Sequence, residues 1–183
     1  MPRGFRKPRP PLPRFAVAWF PRFDGIDRVE ALRTRHDPAA RVVAAHLTLV
    51  FPFATALTAL QIETHVRRVA ARWPPIPVTF RRPRMHVNEF VFLMASRGAA
   101  AITAFHDALY TRSLQPHLRR DIPYEPHITV ARDSGFAALE RALAEAEEML
   151  PGEYADVMRE VVLLDVAADG KITALKTFSL GTA

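Results

Sequence analysis

Two short stretches of this chain combine residues that can move protons with residues that can hold an anion. The first is His46-Leu47-Thr48-Leu49 and the second is His127-Ile128-Thr129-Val130, 81 residues further on. In an extended chain, side chains at i and i+2 point to the same face. His46 and Thr48 therefore share one face, and Leu47 and Leu49 the other. The same holds for His127 and Thr129 against Ile128 and Val130. Imidazole, with an unperturbed pKa near 6.5, serves as acid or base around neutral pH. Displacement at a phosphodiester needs one of each: a base to deprotonate the nucleophile and an acid to protonate the leaving oxygen. The nonbridging oxygens need hydrogen-bond donors where charge develops, and a threonine hydroxyl on the same face can be one. Two facing copies would flank one phosphate, with no metal or other cofactor required.

The elements that must carry these residues can be read from periodicity and punctuation. Phe15–Phe20 reads as a buried strand stopped by Pro21, and a helix capped by Asp24 or Asp27 runs to Arg35, where Asp37-Pro38 breaks it. The first motif strand follows and is expected to end at Pro52. Thr58 is the expected cap of a helix reaching Trp73, and Pro74-Pro75 terminates it. Strands at 78–85 and 90–94 flank a turn at His86–Glu89. A helix is expected at 99–114 and a loop at 115–125. After the second motif, a helix at 136–150 leads to a hairpin, 161–166 and 172–180, around Asp169-Gly170. Asn88, in the first hairpin turn, lies 42 residues after His46, and Asp169, in the second, lies 42 after His127. The repeat of element order predicts an α+β fold of two lobes, with antiparallel sheets related by a pseudo-two-fold axis and the motif strands facing each other across a groove.

Composition narrows the rest. With 183 residues, 49% of them hydrophobic, the chain has enough apolar material for one packed domain. There is no cysteine, which excludes disulfides, thiolate nucleophiles and cysteine-ligated zinc. The longest N-terminal apolar run is too short for a signal or a membrane span, so the expectation is a cytoplasmic protein without membrane partners, acting as a monomer. The net charge of +6 is concentrated in residues 1–14, which hold five prolines and five basic residues and no acid; the remainder carries 20 basic and 19 acidic residues. This stretch reads as a flexible basic, proline-rich arm ahead of a single bilobal domain at 15–183.

The paired motifs, with Pro126 ahead of the second and Ala131-Arg132 after it, resemble the two-histidine (2H) phosphoesterase superfamily, which includes 2'-5' RNA ligases and RNA 2',3'-cyclic phosphodiesterases. The resemblance spans roughly residues 15–180. It implies a bilobal α+β fold with a central groove, His46 and His127 as the acid–base pair, and Thr48 and Thr129 as phosphate donors. It implies as substrate an RNA or nucleotide bearing a 2',3'-cyclic phosphate or a 2'-5' linkage, with hydrolysis or reversible 2'-5' joining as the reaction. Arg132, Tyr124 and Phe51 are further candidates for substrate contacts, although strict alternation puts Arg132 and Phe51 on the face opposite their histidines unless the strand ends or bulges. His65 and His106 lie on predicted helices and read as surface or satisfied residues. Trp19, Phe20 and Phe53 read as core or groove wall. Arg81, Arg82 and Arg84 form a basic cluster that reads as a solvated strand edge or an RNA contact. A non-catalytic RNA-binding protein is the alternative that the arm and this cluster favour.

Overall fold

The structure is a computed structural model and describes residues 12–133 and 135–181. In chain order the elements are β1 (Arg14–Trp19), α1 (Ile26–His36), β2 (Leu47–Ala54), α2 (Ala59–Ala70), β3 (Ile76–His86), β4 (Phe90–Ala95), α3 (Ala99–Leu109), β5 (His127–Arg132), α4 (Phe136–Met149), β6 (Tyr154–Met158), β7 (Glu160–Val166) and β8 (Ile172–Ser179). Short 3₁₀ helices occupy Pro38–Arg41 and Arg112–His117. All eight strands join one antiparallel sheet in the order β6-β3-β4-β5-β2-β1-β7-β8. No helix among the described residues is long and apolar enough to cross a membrane.

The order reads symmetrically outward from the centre. β5 and β2, the motif strands, are the innermost of two four-stranded halves, and only one residue pair, Leu47 with Ile128, joins them. The sheet is therefore a pair of lobes hinged on a narrow seam. The lobes do not each take half of the sequence, however. The hairpin β3–β4 follows the first motif but pairs with β5, and the hairpin β7–β8 follows the second motif but pairs with β1 beside β2. Helices cross as well. α1 packs on β5 and α4, and α3 packs on β2 and α2. Each lobe is thus built from both halves of the chain, which is the correction the structure makes to the simple reading of the repeat.

Local chemistry explains most boundaries. Thr58 caps α2 in a reciprocal box: its hydroxyl accepts from the Gln61 N–H at 3.3 Å, and the Gln61 side chain accepts from the Thr58 N–H at 2.8 Å. α1 starts otherwise than expected. Gly25, at φ 95°, occupies the N-cap without a side-chain bond, and Asp27 sits in the first turn, where its charge complements the helix dipole. Asp37 is extended, as a residue before proline should be, and its side chain accepts from Ala39 N–H to open the following 3₁₀ turn. α3 stops at Leu109, and part of the expected 115–125 loop belongs to the 3₁₀ helix at Arg112–His117. β2 runs through Pro52 to Ala54, because the register against β1 shifts between Phe53 and Val50 and Pro52 falls in that irregularity, where it breaks no ladder pair. β1 takes in Arg14, the last residue of the stretch read as an arm; residues 1–11 lie outside the described residues.

Two glycines separate backbone strain from steric collision. Gly98 stands at φ 82° at the N-terminus of α3, and an added Cβ would lie 2.2 Å from the Pro77 carbonyl oxygen. Gly170 has φ 86° but nothing within 4 Å. Gly98→Ala should cost at least about 2 kcal/mol in urea unfolding, since it meets rigid backbone as well as left-handed strain. Gly170→Ala should cost only about 1 kcal/mol.

Candidate active site

The seam places the two motifs against each other. With Leu47 opposite Ile128 in an antiparallel pair, Thr48 stands across from His127 and His46 across from Thr129. Each histidine therefore faces the other motif's threonine. Leu47 and Ile128, on the opposite face, are wholly buried, as are Leu49 and Val130.

Both imidazoles are held in the same way. His46 Nδ1 lies 2.8 Å from the carbonyl oxygen of Ala44, and His127 Nδ1 lies 2.5 Å from that of Glu125. A carbonyl can only accept, so Nδ1 carries the hydrogen in each ring, and Nε2 is left as the reactive nitrogen. The carbonyls themselves are anchored from outside the groove. Ahead of His46, the fully buried guanidinium of Arg33 donates to Val43 O at 3.0 Å while bonding Glu30 and Asp37, and Glu30 accepts from Ala45 N–H at 2.5 Å. Ahead of His127, the Glu125 carboxylate pairs with Arg84 and lies 4.0 Å from His86 Nδ1. The ring of His127 stacks on Phe92 at 3.5 Å between centroids, and His46 sits 5.9 Å from Phe20.

Because the strands part after one residue pair, β2 has backbone groups without a strand partner, and side chains supply the bonds. Tyr124 Oη donates to Thr48 O at 2.9 Å, His106 Nδ1 donates to Leu49 O at 2.7 Å, and Phe51 N–H donates to Tyr110 Oη at 3.0 Å. His106 and Tyr124 stack at 3.6 Å, and His65 Nε2 donates to Leu109 O behind them. The expectation that His65 and His106 are satisfied residues matches this placement, although both are buried rather than at the surface. Tyr124, read as a substrate contact, has its hydroxyl engaged with the backbone of the first motif.

Arg132 and Phe51 reach the groove through matching irregularities. Phe92 pairs with Thr129 and Val91 with Ala131, so Val130 is an extra residue in β5. Ala18 pairs with Thr48 and Val17 with Val50, so Leu49 is an extra residue in β2. Both bulges fall on the fourth motif position. Each buries two successive side chains, Val130 with Ala131 and Leu49 with Val50. The alternation then resumes one step out of phase, bringing Arg132 and Phe51 to the histidine face. Arg132 is exposed, with its guanidinium 5.1 Å above the Phe90 ring; Phe51 is half-buried, edge-on to Tyr124. Sequence reasoning did not find Phe92, Glu125 or His86. An aromatic at alternate positions of β4 (Phe90, Phe92) was the available signal for the first.

Burial lowers the pKa of both histidines. His127 is driven down to about 3 by desolvation, with the charges of His86, His46 and Arg84 acting in the same direction. His46 is lowered by desolvation, but the Ala44 bond, Asp37 and Glu30 oppose the shift while Arg33 adds to it. A positive charge on His46 thus works against protonation of His127.

A family model described as the 2'-5' RNA ligase superfamily matches residues 21–170. The chain belongs to this superfamily. A protein of Geobacillus kaustophilus, provisionally named a phosphoesterase, is 25% identical over 84% of this chain and 80% of its own length. One of Halalkalibacterium halodurans with the same provisional name is 24% identical over 91% and 97%. Among solved structures, E. coli LigT in its apo form superposes with a TM-score of 0.61 at 21% identity, covering 92% of this chain and 97% of LigT. TT0787 of Thermus thermophilus gives 0.58 at 17%, covering 93% and 98%. The fold is thus the LigT-like two-histidine phosphoesterase fold, as the paired motifs implied.

Two expectations follow from the packing around β2. Tyr124→Phe leaves the Thr48 carbonyl without its donor and should lower stability by about 1–3 kcal/mol in urea unfolding. The pH dependence has a definite sign. His46, His65, His106 and His127 all have folded pKa values below the unfolded 6.5. The unfolded chain binds more protons below that pH, so stability is full above about 6.5 and falls as pH drops beneath it. The urea midpoint should be lower at pH 5 than at pH 7.5. His106→Asn, which keeps a donor for Leu49 O but cannot titrate, should flatten that difference.

Proposed function

We propose that this protein hydrolyses 2',3'-cyclic phosphates, at RNA ends or in nucleotides, by metal-independent general acid–base catalysis with His46 and His127. The observation that carries this reading is the matched pair of imidazoles, each fixed by an Nδ1–H bond to the carbonyl two residues before it. Both thereby keep Nε2 available for proton transfer, which supports the reading. In the proposed reaction His127 Nε2 takes a proton from water as its oxygen attacks phosphorus. The P–O3' bond breaks, and the Nε2–H of protonated His46 delivers a proton to the departing ribose oxygen, leaving a 2'-phosphate. Thr48 and Thr129 donate hydrogen bonds to the nonbridging oxygens as charge builds. Arg132 supplies a cation beside the phosphate, and Phe51 a ring for a nucleobase.

The surroundings support this division of labour. Arg84 and His86 oppose a proton on His127 and so keep it in the neutral form a base must have, whereas Glu30 and Asp37 favour one on His46. E. coli LigT, which shares the fold, has been solved with 3'-AMP and with phosphate, and such ligands fit a site for nucleotide phosphates. The superfamily's description also favours a second reading, cleavage or joining of 2'-5' linkages, for which the same groups would serve in either direction.

His46→Ala and His127→Ala should each lower kcat/KM on a nucleoside 2',3'-cyclic phosphate by about 10²–10⁴-fold with EDTA present. Wild-type activity that vanishes with EDTA, or either variant at wild-type rate, would overturn the reading. A diester with a nitrophenolate leaving group needs no acid. It should restore most of the rate to His46→Ala and little to His127→Ala; the reverse pattern exchanges the roles.

A further inference from the structure

Two members of the basic cluster noted in the sequence, Arg81 and Arg84, lie on the histidine face. Along the register, His127 of β5 is opposite Met94 of β4, and Met94 is opposite Arg81 of β3. One row further, Thr129 is opposite Phe92, and Phe92 is opposite Arg84. Directly paired residues share a face of the sheet, so Arg81 and Arg84 stand on the side of the histidine. They lie two strand spacings from it, about 10 Å. There the sheet and the connection from α4 to β6 enclose a cleft of about 820 Å³, bordered by Arg81, Arg82, Arg84, Ser96, Glu147 and Glu153. Met94, the register partner of His127, lies on its border too.

Arg82 is the unusual member. Arg81 pairs with Met94 and Pro83 with Leu93, so Arg82 is an extra residue in β3. It is exposed, with φ at 55°. Glycine or asparagine would take that conformation with less strain. A strained, exposed arginine at the rim of a cleft has a use when its side chain meets a ligand.

We propose that this cleft binds the sugar–phosphate backbone of an RNA strand whose terminal phosphate lies between His46 and His127. The proposal rests on the phosphoesterase reading and extends it to the substrate: an oligonucleotide end rather than a mononucleotide. A cyclic mononucleotide carries one phosphate, held at the histidine pair, and leaves nothing anionic to reach arginines 10 Å away. A strand brings a further phosphate with each nucleotide. The carboxylates present do not close the site. Arg81 pairs with Glu153 at 3.1 Å through side chains 43% and 62% exposed, and Arg84 with Glu125 at a similarly open position. Exposed pairs of this kind are weak, and a phosphodiester offers an arginine an equivalent bidentate partner.

The test uses ligands that cannot turn over. Binding of a 5'-fluorescein octaribonucleotide ending in a 2'-phosphate is followed by anisotropy, and adenosine 2'-phosphate and ATP are titrated calorimetrically. The full-length wild type is compared with Arg81→Gln/Arg82→Gln and with Arg82→Ala alone. The wild type should hold the octamer at least 10-fold tighter than the nucleotide. The double variant should lose about 10-fold on the octamer, flatten its salt dependence by about 1.4 in log–log slope for two lost phosphate contacts, and bind adenosine 2'-phosphate within twofold of wild type. Arg82→Ala should show part of the loss. An octamer bound no tighter than the nucleotide, or equally by wild type and double variant, overturns the proposal. A loss confined to ATP does so too, by assigning the arginines to a nucleotide's own phosphate tail. Should wild type hydrolyse no cyclic phosphate while the octamer responds as expected, the proposed reaction fails and the RNA cleft stands.

Discussion

The structure depends on a sheet that nearly fails to close at its centre. β2 and β5 share one residue pair. A complete ladder there would bring the strands into register along their length and consume their backbone groups in each other. The opening instead leaves Thr48 O, Leu49 O and Phe51 N–H facing away from any strand. Buried backbone groups left unpaired are costly. Tyr124, His106 and Tyr110 complete them. The three side chains act as a substitute strand edge, drawn from α3, its C-terminus and the loop before the second motif. That loop is thereby tied to the first motif, and the two halves of the site are fixed relative to each other by bonds as well as by packing.

The same crowding sets the proton chemistry. A histidine withdrawn from water prefers to be neutral, and His46, His65, His106 and His127 shift that way. For His65 and His106, neutrality lets one nitrogen donate to a carbonyl inside the protein without burying a charge. For His127, it leaves an Nε2 lone pair ready to accept a proton, whereas on His46 the Ala44 carbonyl, Asp37 and Glu30 oppose the shift and favour the protonated form. The outer supports then make the two inequivalent. α1 brings Glu30 and Asp37 toward one, and β3 brings Arg84 and His86 toward the other. A frame that is symmetric in its strands is asymmetric in its charges.

Much of this was legible in the sequence, for reasons that particular residues make plain. The motifs stand out because apolar and polar residues alternate with period two, and Thr58 and Asp37-Pro38 announce themselves by side-chain chemistry local to the chain. What could not be read depended on partners distant in sequence. β6 is a five-residue strand with no clean alternation, formed because β3 offers it an edge. The exchange of hairpins between lobes leaves no local trace, since the element order is the same whichever lobe receives them. Strict alternation put Arg132 and Phe51 behind the sheet, and only the register against β4 and β1 reveals the extra residues that turn them around.

Those two bulges also give the repeat a sharper meaning than its wording suggests. Phe51 and Arg132 each lie five residues after a motif histidine and emerge just beyond a bulge at the same motif position. They occupy equivalent places in the two lobes and are chemically opposite, one a flat apolar ring and the other a cation. The pseudo-two-fold frame supplies what is symmetric in a phosphate, two flanking proton carriers and two hydroxyl donors. A nucleotide is not symmetric about its phosphate, having a base on one side and, in a strand, further phosphates on the other. The residues that break the symmetry differ in the same sense. Arginines cluster in the lobe of β5, through Arg132 and the β3 row, and the aromatic Phe51 belongs to the lobe of β2. A frame that accepted the phosphate in either sense would align the reacting bond with the acid only half the time. Difference at equivalent positions is what lets a duplicated motif choose one.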